Sequence, residues 1–373
     1  GHGRGRPRTA RLELGAVAAD RIDEAIDQPQ LVRVRPEQFF FFGVRDEAEL
    51  DEHRRHVGAD EHAERRLLNR PRTHGDAGAQ AALDHPGEER RLLERGAVEG
   101  EVFHRDAVAV LQGEPDLDVA LQSLVRKQLL QPARSTVAGA DAYRFGHLLI
   151  RDAAYSAIPK EVRADLHRRF AGWLEEASGE RVVEQEEILG YHLEQACRYH
   201  AELGRRSDED TVATASRAAR WLASAGDRAA KRGDMPAATK LLARAARLLT
   251  EDDERLPEIE LVLGWALTQQ GEFAAAEELF GRVVERGAAA GDRRVELRAR
   301  IERMDVVNII RPDGAVSEMF RLADEIVPEL EALGDDRGLA RAWRMRAYAQ
   351  NTLARSGATS EALERGLVHA EQA

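Results

Sequence analysis

The chain has 373 residues, of which 43% are hydrophobic, 33% charged and 5% aromatic, enough for two or three units with cores of their own. Its formal charge of −12, from 67 acidic against 55 basic side chains, is opposite to what a duplex-coating surface needs, so nucleic acid is not the expected partner. A mean hydropathy of −0.49, with no apolar run near the roughly 20 residues that span a bilayer, predicts no membrane helix. The single cysteine, Cys197, leaves no disulfide framework, and the expected compartment is the cytoplasm.

Residues 1–85 carry six of the 12 histidines (His2, His53, His56, His62, His74, His85) and the run Phe39 to Phe42, without a sustained apolar face. They predict a leader without a designed fold, either disordered or translated out of frame. Residues 86–158 are orderly. Leu92, Leu93 and Val98 mark one helix, Val108 and Leu111 a second, and Leu117, Leu121 and Leu124 a third. Two extended runs follow, Leu129 to Gln131 and Ala142 to Phe145, separated by Pro132 and Gly139. Three helices and a hairpin outline a small winged helix-turn-helix module.

Residues 159–210 predict linking helices. His147 to Ile158 resumes helix, and Pro159 suits the first turn of the next. That helix sets Val162, Leu166, Phe170 and Trp173 on one side and Arg163 and His167 elsewhere. The following one, Glu184 to Leu203, turns Ile188, Tyr191 and Tyr199 to a neighbour and stops at Gly204.

Residues 211–373 predict tetratricopeptide-like helical repeats. The first pair has Leu222, Gly226 and Ala229, the turn Gly233 to Met235, then Ala238, Leu242 and Ala245. The second has Gly264 and Leu267, the turn Gly271 to Phe273, then Ala276, Phe280 and Val283. Met319, Ala323, Ile326 and Leu330 supply the second helix of a third pair, and Leu339 to Ala370 a fourth. Small residues at Gly226, Ala238, Gly264 and Ala276 let the helices of a pair approach, while Leu242 and Phe280 fill the groove to the next. Each pair leaves a face bare until it stacks. The fold class expected is mainly α: a winged helix-turn-helix module followed by an α-solenoid whose concave face takes a protein partner.

Chemistry-bearing motifs are sparse. A phosphate-cradling loop needs Gly-Lys before a hydroxyl residue, and none of the four lysines (Lys127, Lys160, Lys231, Lys240) follows a glycine. There is no nucleophile elbow, zinc-protease helix or dinucleotide fingerprint. His192, Cys197 and His200 are the one local trio of ligand types, but five helical steps turn Cys197 away from His192 and no fourth ligand is evident. No metal is expected; solvent-facing histidines and a half-buried cysteine explain the trio. The third helix of the winged module offers only Arg126 and Lys127 after Asp116, Asp118 and Gln122, poor material for phosphate contacts. No catalytic residue is expected.

The stretches Leu92 to His104, Tyr143 to Tyr155 (YRFGHLLIRDAAY), Ile158-Pro159 and Leu189 to Gln195 resemble the segment after the ATPase core in bacterial multidomain signalling ATPases of the AAA or STAND type, often fused to a class III adenylate or guanylate cyclase. The resemblance covers residues 86–373. It implies a non-catalytic regulatory tail that docks on an intramolecular ATPase core, with ATP and magnesium bound only by a missing upstream domain and no cofactor in this chain. It also implies His147 as a nucleotide-sensing position of the parent protein; without a phosphate loop, His147 reads here as a packed or capping residue, and Arg144 and Arg151 as salt-bridge partners. The family carries arginine where this chain has Gly146. The alternative is the sensor tail of a LuxR-type activator of the maltose-regulator kind, which joins the same modules.

Overall fold

The computed structural model describes residues 87–113, 116–135, 137, 139–353 and 356–373; the expectation for residues 1–85 lies outside them. The described chain is mainly α-helical, and its contacts divide it into two units, residues 87–222 and 223–373.

In the first unit, α1 (Gly87–Glu99), β1 (Val102–His104), α2 (Arg105–Gln112), α3 (Asp118–Arg126), β2 (Leu130–Ala133) and β3 (Ala142–Phe145) follow in order. The three helices bury the expected Leu92, Leu93, Val98, Val108, Leu111, Leu121 and Leu124. Strand β1 was not part of the expected outline. Its Phe103 is fully buried against α1, and a Cβ on Gly96 would stand 2.8 Å from the Phe103 ring. The sheet is antiparallel in the order β1-β3-β2, with Phe103 opposite Tyr143 and Leu130 opposite Phe145. Three residues are too few for a period-2 signal, which is why the pattern hid β1.

Helices α4 (Leu148–Ala157), α5 (Lys160–Ser178) and α6 (Glu186–Glu202) complete this core, with a 3-10 turn over Gly179–Gln185. Pro159 caps α5 rather than entering its first turn, its carbonyl accepting from the Arg163 N–H at 2.9 Å. The buried face of α5 is Arg163, Leu166, His167, Phe170 and Leu174, while Val162 and Trp173 are only half-buried. On α6 the core positions are Leu189, His192, Leu193, Ala196 and Tyr199, so the expected Ile188 and Tyr191 stand at the margin. The expected stop at Gly204 is present, with φ 78°.

Helix α7 (Glu209–Lys231) runs across the division between the units. Its Leu222 occupies the space over Gly190 of α6, where a Cβ would come within 2.6 Å of the Leu222 side chain.

The second unit continues with α8 (Met235–Leu248), α9 (Leu256–Gln269), α10 (Phe273–Ala290), α11 (Arg293–Ile310), α12 (Ala315–Leu333), α13 (Asp336–Thr352) and α14 (Ser356–Gln372). Gly226 and Leu242 lie equally far on either side of Asp234 and touch, as do Gly264 and Phe280 about Glu272; only antiparallel helices meet that way. Leu242 and Phe280 therefore fill the space over the glycine of their own pair, and Phe280 also reaches Val306 on α11 of the next. Ala238 and Ala276 are fully buried, as are the expected Met319, Ala323, Ile326 and Leu330 of α12.

One turn device recurs. Gly233, Gly291 and Gly334 take left-handed φ of 81°, 71° and 62°, a conformation that suits glycine at a helix end. The next residue, Asp234, Asp292 or Asp335, caps the following helix by accepting the N–H three residues on, at 3.1, 3.1 and 3.2 Å. The Gly291 turn fixes the start of α11, the first helix of the third pair.

Candidate functional site

Two places gather polar side chains with more order than a solvated surface has. The first is inside residues 87–222, where α4, α5 and α6 meet. Tyr155 of α4 contacts Nε2 of His167 on α5 and the hydroxyl of Tyr199 on α6, both at 2.8 Å. The Nδ1 atoms of His167 and His192 are 2.8 Å apart. Tyr199 accepts from Arg198 at 2.9 Å and from Arg163 at 3.3 Å. Arg163 also donates to the carbonyls of Ile158 and Ser156, both at 2.9 Å, which fastens the α4–α5 turn, and its guanidinium lies 4.7 Å from the Tyr155 ring centre.

His167 and His192 are 1% and 2% exposed, so the expectation of a solvent-facing His192 is corrected. Burial, then the neighbouring His192 and Arg198, holds the His167 imidazole well below its ordinary pKa. The signal in the sequence was spacing: Arg163, His167, Phe170 and Leu174 share one helical face, as do His192, Ala196 and Tyr199. Polar residues on an apolar stripe are the mark of a buried network.

The other positions singled out from the sequence do not join this cluster. His147 is an exposed N-cap of α4, its Nδ1 accepting the Leu149 N–H at 3.1 Å, which is the capping role expected of it. Arg144 donates to Gln131 at 3.2 Å, and buried Arg151 donates to the Ala97 carbonyl and to Asp152, each at 3.2 Å. At Gly146 a Cβ would overlap the Gln128 carbonyl oxygen and stand 3.3 Å from that of Leu129, so the arginine of the resembled family has no room in this backbone. Gln128 bends towards this position with φ 58°, the only non-glycine in the left-handed region among the described residues. Cys197 is buried, its thiol pushed up to about 12 by burial and then by Glu194, so it stays protonated and unreactive. His200 instead meets Thr211 at 3.0 Å. Among the described residues, no group of three or more His, Cys, Asp or Glu is placed to hold a metal ion, and no helix is long and apolar enough to cross a membrane.

The second place lies on the first helices of the pairs in residues 223–373. Arg298 of α11 reaches Glu258 of α9 at 2.5 Å, forty residues away, and Asp335 at the start of α13 at 2.8 Å. Arg341 and Arg344 of α13 reach Glu302 and Asp305 of α11 at 2.7 and 2.6 Å, each thirty-nine residues away. The ion pairs thus repeat at nearly the period of the fold and join each first helix to the next. Burial raises the Asp305 carboxyl to about 6, with Arg344 opposing and Glu302 adding to the rise. Beyond this ladder, at the carboxyl ends of α11 and α13, Ile309, Ile310, Tyr348 and Leu353 stand 40–51% exposed. Such an arrangement can hold a partner by apolar contact beside an internally neutralised rail.

No protein-family model matches the chain, and no curated protein matches it. Among solved structures, a signal transduction ATPase with numerous domains (STAND) protein with a tetratricopeptide repeat sensor, from Pyrococcus horikoshii, is similar at 11% identity with a TM-score of 0.24; the match covers 77% of this chain. The chain spans 59% of that protein's chain.

Proposed function

We propose that this chain is a non-catalytic regulatory and protein-binding segment of a STAND-type signalling ATPase that works in the cytoplasm, one of the kind often joined to a class III cyclase. Residues 86–158 serve as its winged-helix module, and residues 211–373 as tetratricopeptide-like repeats. The observation that carries the reading is the series of first helices α9, α11 and α13, ion-paired to one another and ending in exposed Ile309, Ile310, Tyr348 and Leu353. A catalytic surface has no need of that periodicity; a surface that receives a protein segment does. Nucleotide and magnesium belong to the ATPase core, against which the winged helix packs. Its helix–strand–helix–helix–strand–strand order and its β1-β3-β2 sheet support that assignment.

Two measurements test this. Calorimetric titration of the purified chain with Mg-ATP should give no heat of binding, and a micromolar site would overturn the non-catalytic reading. Affinity capture with wild type and with Tyr348→Asp should yield a protein held by the first and lost by the second, with exposed Val183→Asp, outside the repeat unit, as a control. Identical capture by all three would remove the repeat face as the binding surface. A DNA-binding helix-turn-helix encoded after residue 373 would favour the LuxR-type activator instead.

A further inference from the structure

We propose that Tyr199, Tyr155, His167 and His192 form a proton-sensitive joint: a one-way chain of hydrogen bonds that locks α4, α5 and α6 together only while both imidazoles are neutral. The direction follows from the donors. A guanidinium can only donate, so the Tyr199 oxygen accepts from Arg198 and Arg163 and passes its own proton to the Tyr155 oxygen at 2.8 Å. Tyr155 then donates to Nε2 of His167. The His167 proton is left on Nδ1, and it is given to Nδ1 of His192 at 2.8 Å. The His192 proton therefore sits on Nε2. Two arginines at one end thus give the chain of hydrogen bonds its direction towards His192.

One added proton breaks this order. Placed on Nδ1 of His192, it opposes the N–H of His167 at a separation of 2.8 Å. The chain relieves the conflict if every hydrogen bond reverses, His192 donating to His167, His167 to Tyr155 and Tyr155 to Tyr199. The Tyr199 oxygen would then face three donors with two lone pairs. The longest of these bonds, from Arg163 at 3.3 Å, is the one to yield, and Arg163 is the residue that fastens the α4–α5 turn through Ile158 and Ser156. Proton uptake at α6 is thereby felt at the other end of the cluster.

The surroundings set the range. Arg151 and Tyr155 of α4, Arg163 of α5, and His192, Arg198, Tyr191 and Tyr199 of α6 face His167, and Asp152 on α4 is engaged by Arg151. Burial and these cations keep the folded-state imidazole from charging. The unfolded chain takes up its proton near the ordinary value of about 6.5. The stability this joint supplies is complete above that pH. It is lost as pH falls from there towards the lower folded-state value, by about tenfold in the folded-to-unfolded ratio per pH unit and per proton.

The test is long-range proton–nitrogen NMR of the full chain labelled with nitrogen-15 in histidine. At pH 7.5, His167 should show the Nδ1–H tautomer and His192 the Nε2–H tautomer, and His167 should still be neutral at pH 6. As pH falls below 6, amide exchange in residues 160–202 should rise by about tenfold per pH unit after correction for intrinsic exchange. The opposite tautomers, a doubly protonated His167 ring at pH 6, or exchange that ignores pH would overturn the proposal. His192→Asn keeps an acceptor facing His167 and cannot be charged, so the slope should become shallower but not vanish, since His167 still takes up its proton on unfolding; an unchanged slope counts against the joint. The tautomer spectrum needs no variant and decides even where that substitution prevents folding.

Discussion

Replacing Gly264 with alanine tests the close approach of α9 and α10. The added methyl would stand 2.5 Å from Cζ and 3.1 Å from Cδ1 of Phe280, against the roughly 3.5–4.0 Å of an ordinary carbon contact. The ring edge must therefore retreat by about 1 Å, or the helices must part. Phe280 is 1% exposed, and it packs with Ala276 and Val306 while Leu261, Leu267 and Phe273 close the rim. Interiors at that density have no slack to receive a ring. Overpacking of this kind costs about 1–3 kcal/mol, while removing a helical glycine returns about 0.5–1 kcal/mol. The net expectation is a loss of about 1–2 kcal/mol. Gly281 of α10 is the internal control, because a Cβ there meets nothing within 4 Å; Gly281→Ala should gain roughly 0.5–1 kcal/mol. Urea unfolding followed by far-UV circular dichroism reads both, with midpoint and slope compared because stacked repeats can unfold in segments. If Gly264→Ala stabilises the chain as Gly281→Ala does, the two helices are not in contact at Phe280.

Arg298→Ala should cost about 3–5 kcal/mol, since it leaves the buried Asp335 carboxylate without the guanidinium that answers it, and Arg298→Lys should recover only part of this in the same urea assay, lacking the fork that spans Glu258 and Asp335. Asp305, raised to about 6, takes up a proton in the folded state while the unfolded chain still has it ionised, so its contribution to stability grows as pH falls through 6, opposite in sign to that of His167. Carbon-13 NMR should find one carboxyl titrating near pH 6 that vanishes in Asp305→Asn; if wild type has none, the carboxyl is wetter than its packing against Arg344 implies. Random duplex DNA should give no shift in gels at about 0.15 M salt, because the exposed face of α3 carries Asp118, Val119, Gln122 and Arg126, and Asp118 is engaged by Arg105 at 3.0 Å. A measurable affinity that falls steeply with salt would indicate phosphate contacts.

The fold was legible where a helix is long enough to show its period. Leu222, Ala238, Leu242, Ala276, Phe280 and Met319 are buried as their spacing required, because a repeated pair has only one way to hide its apolar stripe. Strand β1 was not legible. Its Val-Phe-His is shorter than any pattern, and what fixes it is the Phe103 ring against Gly96 together with Glu99, which accepts the His104 N–H at 2.9 Å. The turn before α11 was present in the text as Gly291-Asp292, the same pair of residues as Gly233-Asp234, but a turn from the second helix of one pair to the first of the next falls out of phase with the repeat glycines.

The buried polar cluster escaped for a different reason. Apolar periodicity gives a histidine or an arginine to the solvent side by default, since burying a polar group without partners costs several kcal/mol. That default fails when partners arrive together from other elements, and here each member supplies what the next one lacks. Arg163 finds two backbone carbonyls and a hydroxyl, His167 a phenol and a second imidazole, and Tyr199 two guanidinium donors. No single helix contains the reason for its own polar face: α5 presents Arg163 and His167 inward only because Tyr155 precedes them on α4 and His192 and Tyr199 follow on α6. A network built this way is satisfied completely or not at all. Removing any one member should therefore loosen all three helices, whereas an apolar residue at the margin of α5, such as Val162, can change at the cost of its own contacts alone.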